Sequence, residues 1–243
     1  MQRIANQPAY VLHSRAYRET SLLLDIFSRD YGRIALVARG ARRPKSRSRN
    51  VLQPFRPLLL SWSSRGELGT LTGSEQVAAP PMLQGEPLYC GLYISELMIR
   101  FLHRGDPHPE LFERYRSTLA ALSVSDAVQP LLRVFEKQLL ETAGYGLMLE
   151  QESGTGRPVR AEALYQYRPG LGPVRISSGD EKHPELLSGE ALLALQAEKI
   201  ERHHQGALRR LMRDVIAFHL GEKPLRSPGL FRDLNSQKST RSG

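Results

Sequence analysis

The chain has 243 residues, with 34 Lys plus Arg against 25 Asp plus Glu and a formal net charge of +9. A hydrophobic share of 40% beside 24% charged residues excludes a globally disordered chain, and the length fits one large domain or two small ones of roughly 150 residues or fewer each. The single cysteine, Cys90, excludes an intramolecular disulfide and any zinc site built on several thiolates, and it fits a reducing cytoplasm.

The first 80 residues read as strands. Ala9 to Tyr17 is the first, with Tyr10 and Leu12 on one face, and Thr20 to Ser28 the second, with Leu22, Leu24 and Ile26 on one face. Arg29-Asp30-Tyr31-Gly32 turns into Arg33 to Ala38, a fourth strand runs through Leu58 to Trp62, and a fifth covers Gly69 to Val77. Apolar residues at every second position between turn signals are the hairpin signature. Five short strands predict a small barrel, because closure removes exposed edges. The long connection Arg39 to Gln53 is a basic loop.

Pro80-Pro81 ends this region and the period changes. Leu88 to His103 is apolar nearly all round and predicts a buried helix. Pro107 to Leu122 and Asp126 to Ala143 follow, with Gly144 as the C-terminal cap of the latter. Residues 150–184 interrupt the helices, with a short strand at Leu164 to Tyr167. Helices are then expected over Ser188 to Ile200 and Arg202 to Leu220, before a polar, frayed tail. The expected organisation is therefore a barrel over 1–80, a helical domain over 81–235 with an irregular insertion near 150–184, and a tail over 236–243.

The charge is unevenly spread. Residues 1–80 hold 13 Lys or Arg and 5 Asp or Glu, a net of +8, whereas residues 81–243 hold 21 and 20, a net of +1. Nine cations and no carboxylate lie between Asp30 and Glu67. A one-sign block of this length points to a polyanion, either nucleic acid or an anionic membrane. The membrane reading fails on two counts. No apolar run approaches the roughly 18 residues of a spanning helix, and the basic block, which contains Gly40 and Pro44, has no bulky apolar face to insert into lipid. No secretory signal is expected at the N-terminus.

Within the loop, Arg39, Arg42, Arg43, Lys45, Arg47 and Arg49 place six cations in eleven residues. Guanidinium forks match phosphate oxygens in a bidentate way. The interspersed Gly, Ser and Pro predict an extended, mobile segment that tracks a backbone rather than reading base edges. Arg33 and Arg56, on adjoining strands, extend the candidate path. The alternative for the loop is a solubilising role. Tyr31, Phe55 and Trp62 are either stacking platforms or core and turn packing.

Signals for catalysis are missing. There is no phosphate-binding loop, no H-E-x-x-H, no G-x-S-x-G and no Cys–His pair at a plausible spacing. Cys90 reads as a small hydrophobe in an apolar helix. His203 and His204 are adjacent, so on an α-helix they would point about 100° apart and make a poor metal pair; they read as surface residues at a helix start. No catalytic residue, metal or cofactor is expected.

Several segments carry a family resemblance. Tyr10-Val-Leu-His-Ser-Arg-Ala-Tyr-Arg-Glu-Thr-Ser-Leu-Leu-Leu-Asp-Ile-Phe, Tyr31-Gly-Arg-Ile-Ala-Leu-Val-Ala-Arg-Gly-Ala-Arg-Arg and Leu52-Gln-Pro-Phe-Arg-Pro-Leu-Leu-Leu-Ser-Trp resemble the RecO recombination-mediator proteins of bacteria. So do Gly91-Leu-Tyr-Ile-Ser-Glu-Leu, Leu132-Arg-Val-Phe-Glu, Gly144-Tyr-Gly and Leu220-Gly-Glu-Lys-Pro-Leu-Arg-Ser, in the family's order from about residue 8 to 234. The resemblance implies an α+β protein, a five-stranded OB-fold barrel followed by a mainly helical domain. It implies a cytoplasmic, nucleoid-associated DNA repair and recombination mediator. Such a protein binds single- and double-stranded DNA, anneals single strands and, with RecR, helps load RecA onto DNA coated by single-stranded-DNA-binding protein (SSB). It also implies recognition of the acidic, apolar SSB C-terminal tail, with Arg133 at the position of the implicated arginine; the alternative for Arg133 is a solvated helix residue.

Two departures stand out. Many family members carry four zinc-binding cysteines where this chain reads Glu152-Ser-Gly-Thr-Gly-Arg-Pro-Val, so metal is expected to be absent there and the segment must hold itself by packing. Near the end, Arg226-Ser-Pro-Gly-Leu replaces the family's Lys-Ser-Arg-Glu-Leu and brings in Pro228 and Gly229. The reading is a non-enzymatic DNA-binding adaptor. Its rivals are an RNA-binding OB-fold protein of translation or RNA decay, and a nuclease.

Overall fold

The computed structural model describes residues 2–46, 48–176, 185–222 and 224–227. It divides into two compact units, one running to Ser125 and taking back Leu225–Ser227, the other spanning Asp126–Pro224. The change from strand to helix falls near residue 80, as the periodicity indicates, but the compact units part at residue 125.

The first unit is built on a closed five-stranded barrel in the order β1-β2-β3-β5-β4, an OB-fold. Its strands are β1 (Gln2–Tyr17), β2 (Ser21–Ser28), β3 (Gly32–Ala38), β4 (Leu58–Ser64) and β5 (Leu68–Gln76). All pairings are antiparallel except β3–β5, which is parallel at Ala35↔Leu68. β1 is seven residues longer at its N-terminal end than its alternation predicts. Its first half pairs with β4 and its second half with β2. The register shifts between Ile4 and Gln7, where Asn6 has φ +51°; this bulge bends one strand around the barrel. Val11, Leu24, Ile26, Leu36, Leu60 and Trp62 fill the interior.

The strand faces turned outward from the barrel are also apolar where helices cover them. Helix α2 (Glu86–Phe101) and helix α3 (Pro109–Leu122) each begin with a proline in the first turn, where its missing N–H costs nothing. Tyr10 of β1 lies 5.4 Å from Phe112 and 5.3 Å edge-on from Tyr115, while Phe27 of β2 lies 5.7 Å from Phe112. The buried Tyr115 hydroxyl shares a 2.8 Å hydrogen bond with Ser95. Cys90 is fully buried in α2. At the β2–β3 turn Gly32 has φ +63°, and a Cβ there would stand 1.9 Å from the carbonyl oxygen of Asp106, so both conformation and close approach require glycine. Together these contacts explain why α2 and α3 belong with the barrel.

The second unit contains α4 (Val128–Thr142), α5 (Gly189–Gln196), a 3₁₀ turn at Arg202–His204 and α6 (Gln205–Leu220). A small antiparallel sheet joins them, in the order β7-β6-β8, from β6 (Leu164–Arg168), β7 (Gly172–Arg175) and β8 (Leu186–Ser188). Leu132, Phe135 and Leu139 of α4 and Leu208, Leu211, Met212, Val215 and Ile216 of α6 are buried, as their spacing predicts. Ala143 ends α4 and Gly144 follows at φ +83°, the left-handed residue just past a helix end. Helix α5 stops four residues before Ile200. Glu198 takes φ +56°, and its carboxylate accepts from Gln138 at 3.0 and 2.9 Å and from Lys137 at 3.2 Å.

The cysteine-free segment after Gly146 is organised around a carboxylate. The buried Glu152 accepts hydrogen bonds from the Thr155 hydroxyl (2.9 Å) and the Tyr165 hydroxyl (3.2 Å), and Tyr165 accepts from the Arg160 amide (2.9 Å). Backbone bonds Glu152 N–H to Arg157 O and Val159 N–H to Glu150 O close the loop. A polar network thus joins the packing that the sequence suggests, with Leu149, Val159 and Ala163 buried around it. The second departure is described only in part. Arg226 and Ser227 donate their amides to the Glu96 carboxylate of α2, each at 2.8 Å; Pro228, Gly229 and the tail lie outside the described residues.

Candidate nucleic-acid interface

The connection from β3 to β4 is tied to the barrel at both ends. Ala41 and Leu52 insert into the barrel core, 0% and 1% exposed. Backbone bonds Arg43 N–H to Gly40 O (3.1 Å) and Ser46 N–H to Arg43 O (3.0 Å) coil the segment, and a short helix, α1 (Ser48–Val51), ends it. The described residues of the connection are therefore coiled where an extended segment was expected. Two small apolar residues in a polar run are enough to anchor it, because each is drawn into a core that excludes water. What remains outward is cationic: Arg39, Arg42, Arg43, Lys45 and Arg49 are exposed. Arg47 lies outside the described residues.

Two of these cations, Arg39 and Arg43, lie on an open groove of 520 Å³ between the β1–β2 turn, the start of the loop and the first residues of β5. Arg18, Arg39 and Arg43 line it together with Tyr17, and no carboxylate does. The Arg42 guanidinium donates to the carbonyls of Arg18 (3.3 Å) and Glu19 (3.2 Å), tying the loop to the β1–β2 turn. The Arg18 guanidinium carbon lies 5.3 Å from the centroid of the Tyr17 ring, a cation–π distance. Clustered cations beside an aromatic face suit a single strand, whose phosphates take the guanidinium groups while a base stacks.

Tyr17 and Arg18 escape a sequence reading that looks for runs of charge. The signal present was a Tyr-Arg pair at a turn; Arg18 there takes φ +51°. The aromatics singled out earlier serve packing. Trp62 and Phe55 are buried, Tyr31 meets Trp62 edge-on at 5.4 Å, and a Cβ on Gly91 of α2 would meet the Phe55 ring.

Arg33 and Arg56 do not join this groove. The Arg33 guanidinium donates to the carbonyls of Ile99 and Leu102 and faces Asp25 at 3.8 Å, so it caps the C-terminal end of α2, where the helix dipole is negative. Burial lowers its pKa, which Asp25 partly opposes, and the group stays charged. Arg56 donates to the side chain of Gln76. Gln76 lies six residues beyond Thr70 along β5, about 20 Å at the rise of a strand.

Arg133 in the second unit is no solvated helix residue. It is 5% exposed and bonded at 2.7 Å to Glu136, which is 0% exposed. The same unit holds a separate open pocket of 260 Å³ whose lining includes Tyr145, Met148, Tyr167, Leu171 and His219. Burial pushes the Tyr167 phenol up to about 12 and lowers the His219 pKa. Tyr145, Met148 and Leu171, with Phe218 beside them, are large apolar side chains left exposed. Among the described residues, no helix is long and apolar enough to cross a membrane.

Known proteins are similar in sequence to nearly the whole chain. Residues 1–80 match the family model described as recombination protein O N terminal, and residues 82–228 match recombination protein O C terminal. The DNA repair protein RecO of Nitrosococcus oceani is 46% identical over 233 residues, covering 96% of this chain and 94% of that protein. The proteins of the same name from Nitrosospira multiformis and Methylococcus capsulatus are 42% and 45% identical over 96% and 95% of this chain, and over 96% and 94% of their own lengths. With its OB-fold barrel, its helical remainder and these matches over nearly the whole length, the chain belongs to the recombination protein O family of DNA repair proteins.

Proposed function

We propose that this chain binds and anneals single-stranded DNA through the barrel groove and its basic loop, and that with RecR it helps load RecA onto SSB-coated DNA. The observation that carries the reading is the anchored, carboxylate-free cluster of Arg18, Arg39, Arg43 and Tyr17 in one groove, with Arg42, Lys45 and Arg49 exposed on the same connection. Annealing needs two phosphate backbones to approach, and fixed cations lower their repulsion. Double-stranded DNA offers the same phosphates. No bond is made or broken in this role, so it requires neither a catalytic residue nor nucleotide hydrolysis. DNA is chosen over RNA on the relatives' names, each a DNA repair protein, since phosphate contacts alone do not separate the two.

The decisive variant replaces Arg39, Arg43, Lys45 and Arg49 by Ala. None of these side chains has an ion pair or hydrogen bond among the described residues, so stability should hold within about 0.5 kcal/mol. If the parent neutralises about five phosphates on a single strand, its log–log salt slope is about −3.5, and each lost contact flattens it by about 0.7. Unchanged affinity and slope would remove the loop from the interface. Equal annealing of RNA strands by the parent would favour the RNA-binding rival.

The reading also gives the SSB tail to the second unit, at Arg133. A terminal carboxylate reaching that guanidinium must compete with Glu136, 2.7 Å away. Arg133→Ala combined with Glu136→Gln, which leaves no buried charge unpaired, should weaken binding of a tail peptide while sparing naked DNA. If the peptide binds the double variant as well as the parent, yet loses affinity to Leu171→Asp in the second unit's pocket, the tail docks there and not at Arg133.

A further inference from the structure

The 3₁₀ turn after α5 gathers two imidazoles and a carboxylate. His203 and His204 are adjacent, and on an α-helix they would diverge. Here, at the 3₁₀ turn Arg202–His204, their rings nevertheless come together, with centroids 3.8 Å apart. Glu190, in the first turn of α5, reaches both: its Oε2 lies 3.8 Å from His203 Nε2 and 3.8 Å from His204 Nε2. One ligand atom from each of the three residues falls within 4.8 Å of the others.

Two further observations single this cluster out. His204 is 96% buried (4% exposed), and neither its Nδ1 nor its Nε2 has a hydrogen-bond partner. A buried imidazole nitrogen whose lone pair or N–H is left unmade is costly. A metal ion at Nε2 would engage the lone pair there, with the N–H carried on Nδ1. The second concerns His203, whose Nδ1 lies 3.6 Å from Glu201 Oε2 while its Nε2 faces Glu190. A carboxylate behind a histidine, fixing which nitrogen points forward, is the usual outer-shell support of a metal-bound imidazole.

We propose that Glu190, His203 and His204 form a divalent transition-metal site of the zinc class. Two nitrogens and one oxygen suit zinc, which takes His at about 2.0–2.1 Å and carboxylate at about 2.0–2.2 Å in a tetrahedron. Ligand atoms at those lengths stand about 3.3 Å apart, so the observed 3.8 Å separations close by about half an ångström. Water takes the fourth position. The ion would clasp the start of α5 to the start of α6, across the connection through Glu198. The site uses no cysteine and is built from residues remote in sequence from the Glu152 segment.

The test uses tag-free, full-length protein stripped with a chelator, titrated with zinc and dialysed, with bound metal measured by elemental analysis and cobalt as a spectroscopic probe. One zinc per chain is expected, with a tetrahedral cobalt spectrum and a melting temperature raised by several degrees on zinc addition. His203→Ala and Glu190→Gln, both at exposed positions, should lose affinity at least tenfold and lose the thermal shift, whereas His13→Ala on the barrel should retain both. Absence of stoichiometric binding by the parent, or equal binding by parent and His203→Ala, would overturn the site. Because His203 and Glu190 keep the buried His204 in place, a folding failure at His204→Ala does not confuse the outcome.

Discussion

Arg33 sets a half-buried guanidinium against the carbonyls of Ile99 and Leu102, while Arg39, six residues on, stands in solvent. Side-chain type alone does not separate them; the carbonyls at the end of α2 do. Arg33→Ala should therefore lower unfolding free energy by about 2–3 kcal/mol, the worth of charge-assisted hydrogen bonds, yet leave the salt slope of DNA binding unchanged. Urea denaturation and a DNA titration on the same sample read both. At Arg133 the logic is stronger. Its removal takes the 2.7 Å ion-pair partner away from the fully buried Glu136, so Arg133→Ala alone should cost about 3–5 kcal/mol, and replacing the pair by apolar residues of similar volume should recover most of it. Glu152 is a third case. Glu152→Gln turns an acceptor that serves two hydroxyls into one that serves a single hydroxyl, which should cost about 1–2 kcal/mol by thermal melting.

The strands were legible because each has at least one face against the barrel core and so alternates. Gln2 to Pro8 was not legible. Asn6 leaves the extended region there, and the bulge it makes breaks the two-residue period. Helix α1 is four residues long, below the length at which periodicity is readable. The loop's cations were legible as a charge block, but its anchors were not, since one alanine and one leucine in a polar run carry no pattern. Leu52→Ala should test the anchoring. Emptying a fully packed site costs about 2–5 kcal/mol, and annealing should fall although no phosphate-contacting group is touched. Tyr17 and Arg18 join the site only because β1 and β2 meet beside the end of β3, an arrangement set by barrel closure.

At the scale of the molecule the charge divides with the chain, and the groove lies wholly within the first unit. That unit also recovers the returning segment through Glu96. Burial raises the Glu96 pKa, but the amides of Arg226 and Ser227 more than offset it, and its carboxyl titrates below the ordinary value of 4.5. A group whose pKa is depressed on folding stabilises above its unfolded value and ceases to do so as pH falls through the folded one. Hydrogen exchange at the Arg226 and Ser227 amides should thus stay slow at neutral pH and accelerate as pH drops below 4.5, after correction for intrinsic rates. Glu96→Gln should remove that pH dependence.

By itself the sequence determined the strand-then-helix order, the family, and the placement of excess positive charge in one carboxylate-free segment, because periodicity, motif order and charge blocks are properties of neighbouring residues. Only the tertiary structure decided which arginines face solvent, that Arg33 caps a helix and Arg133 is buried in an ion pair, and that His203 and His204 both stand beside Glu190. Those outcomes depend on desolvation and on distances between residues far apart in the chain, and neither is written in local composition.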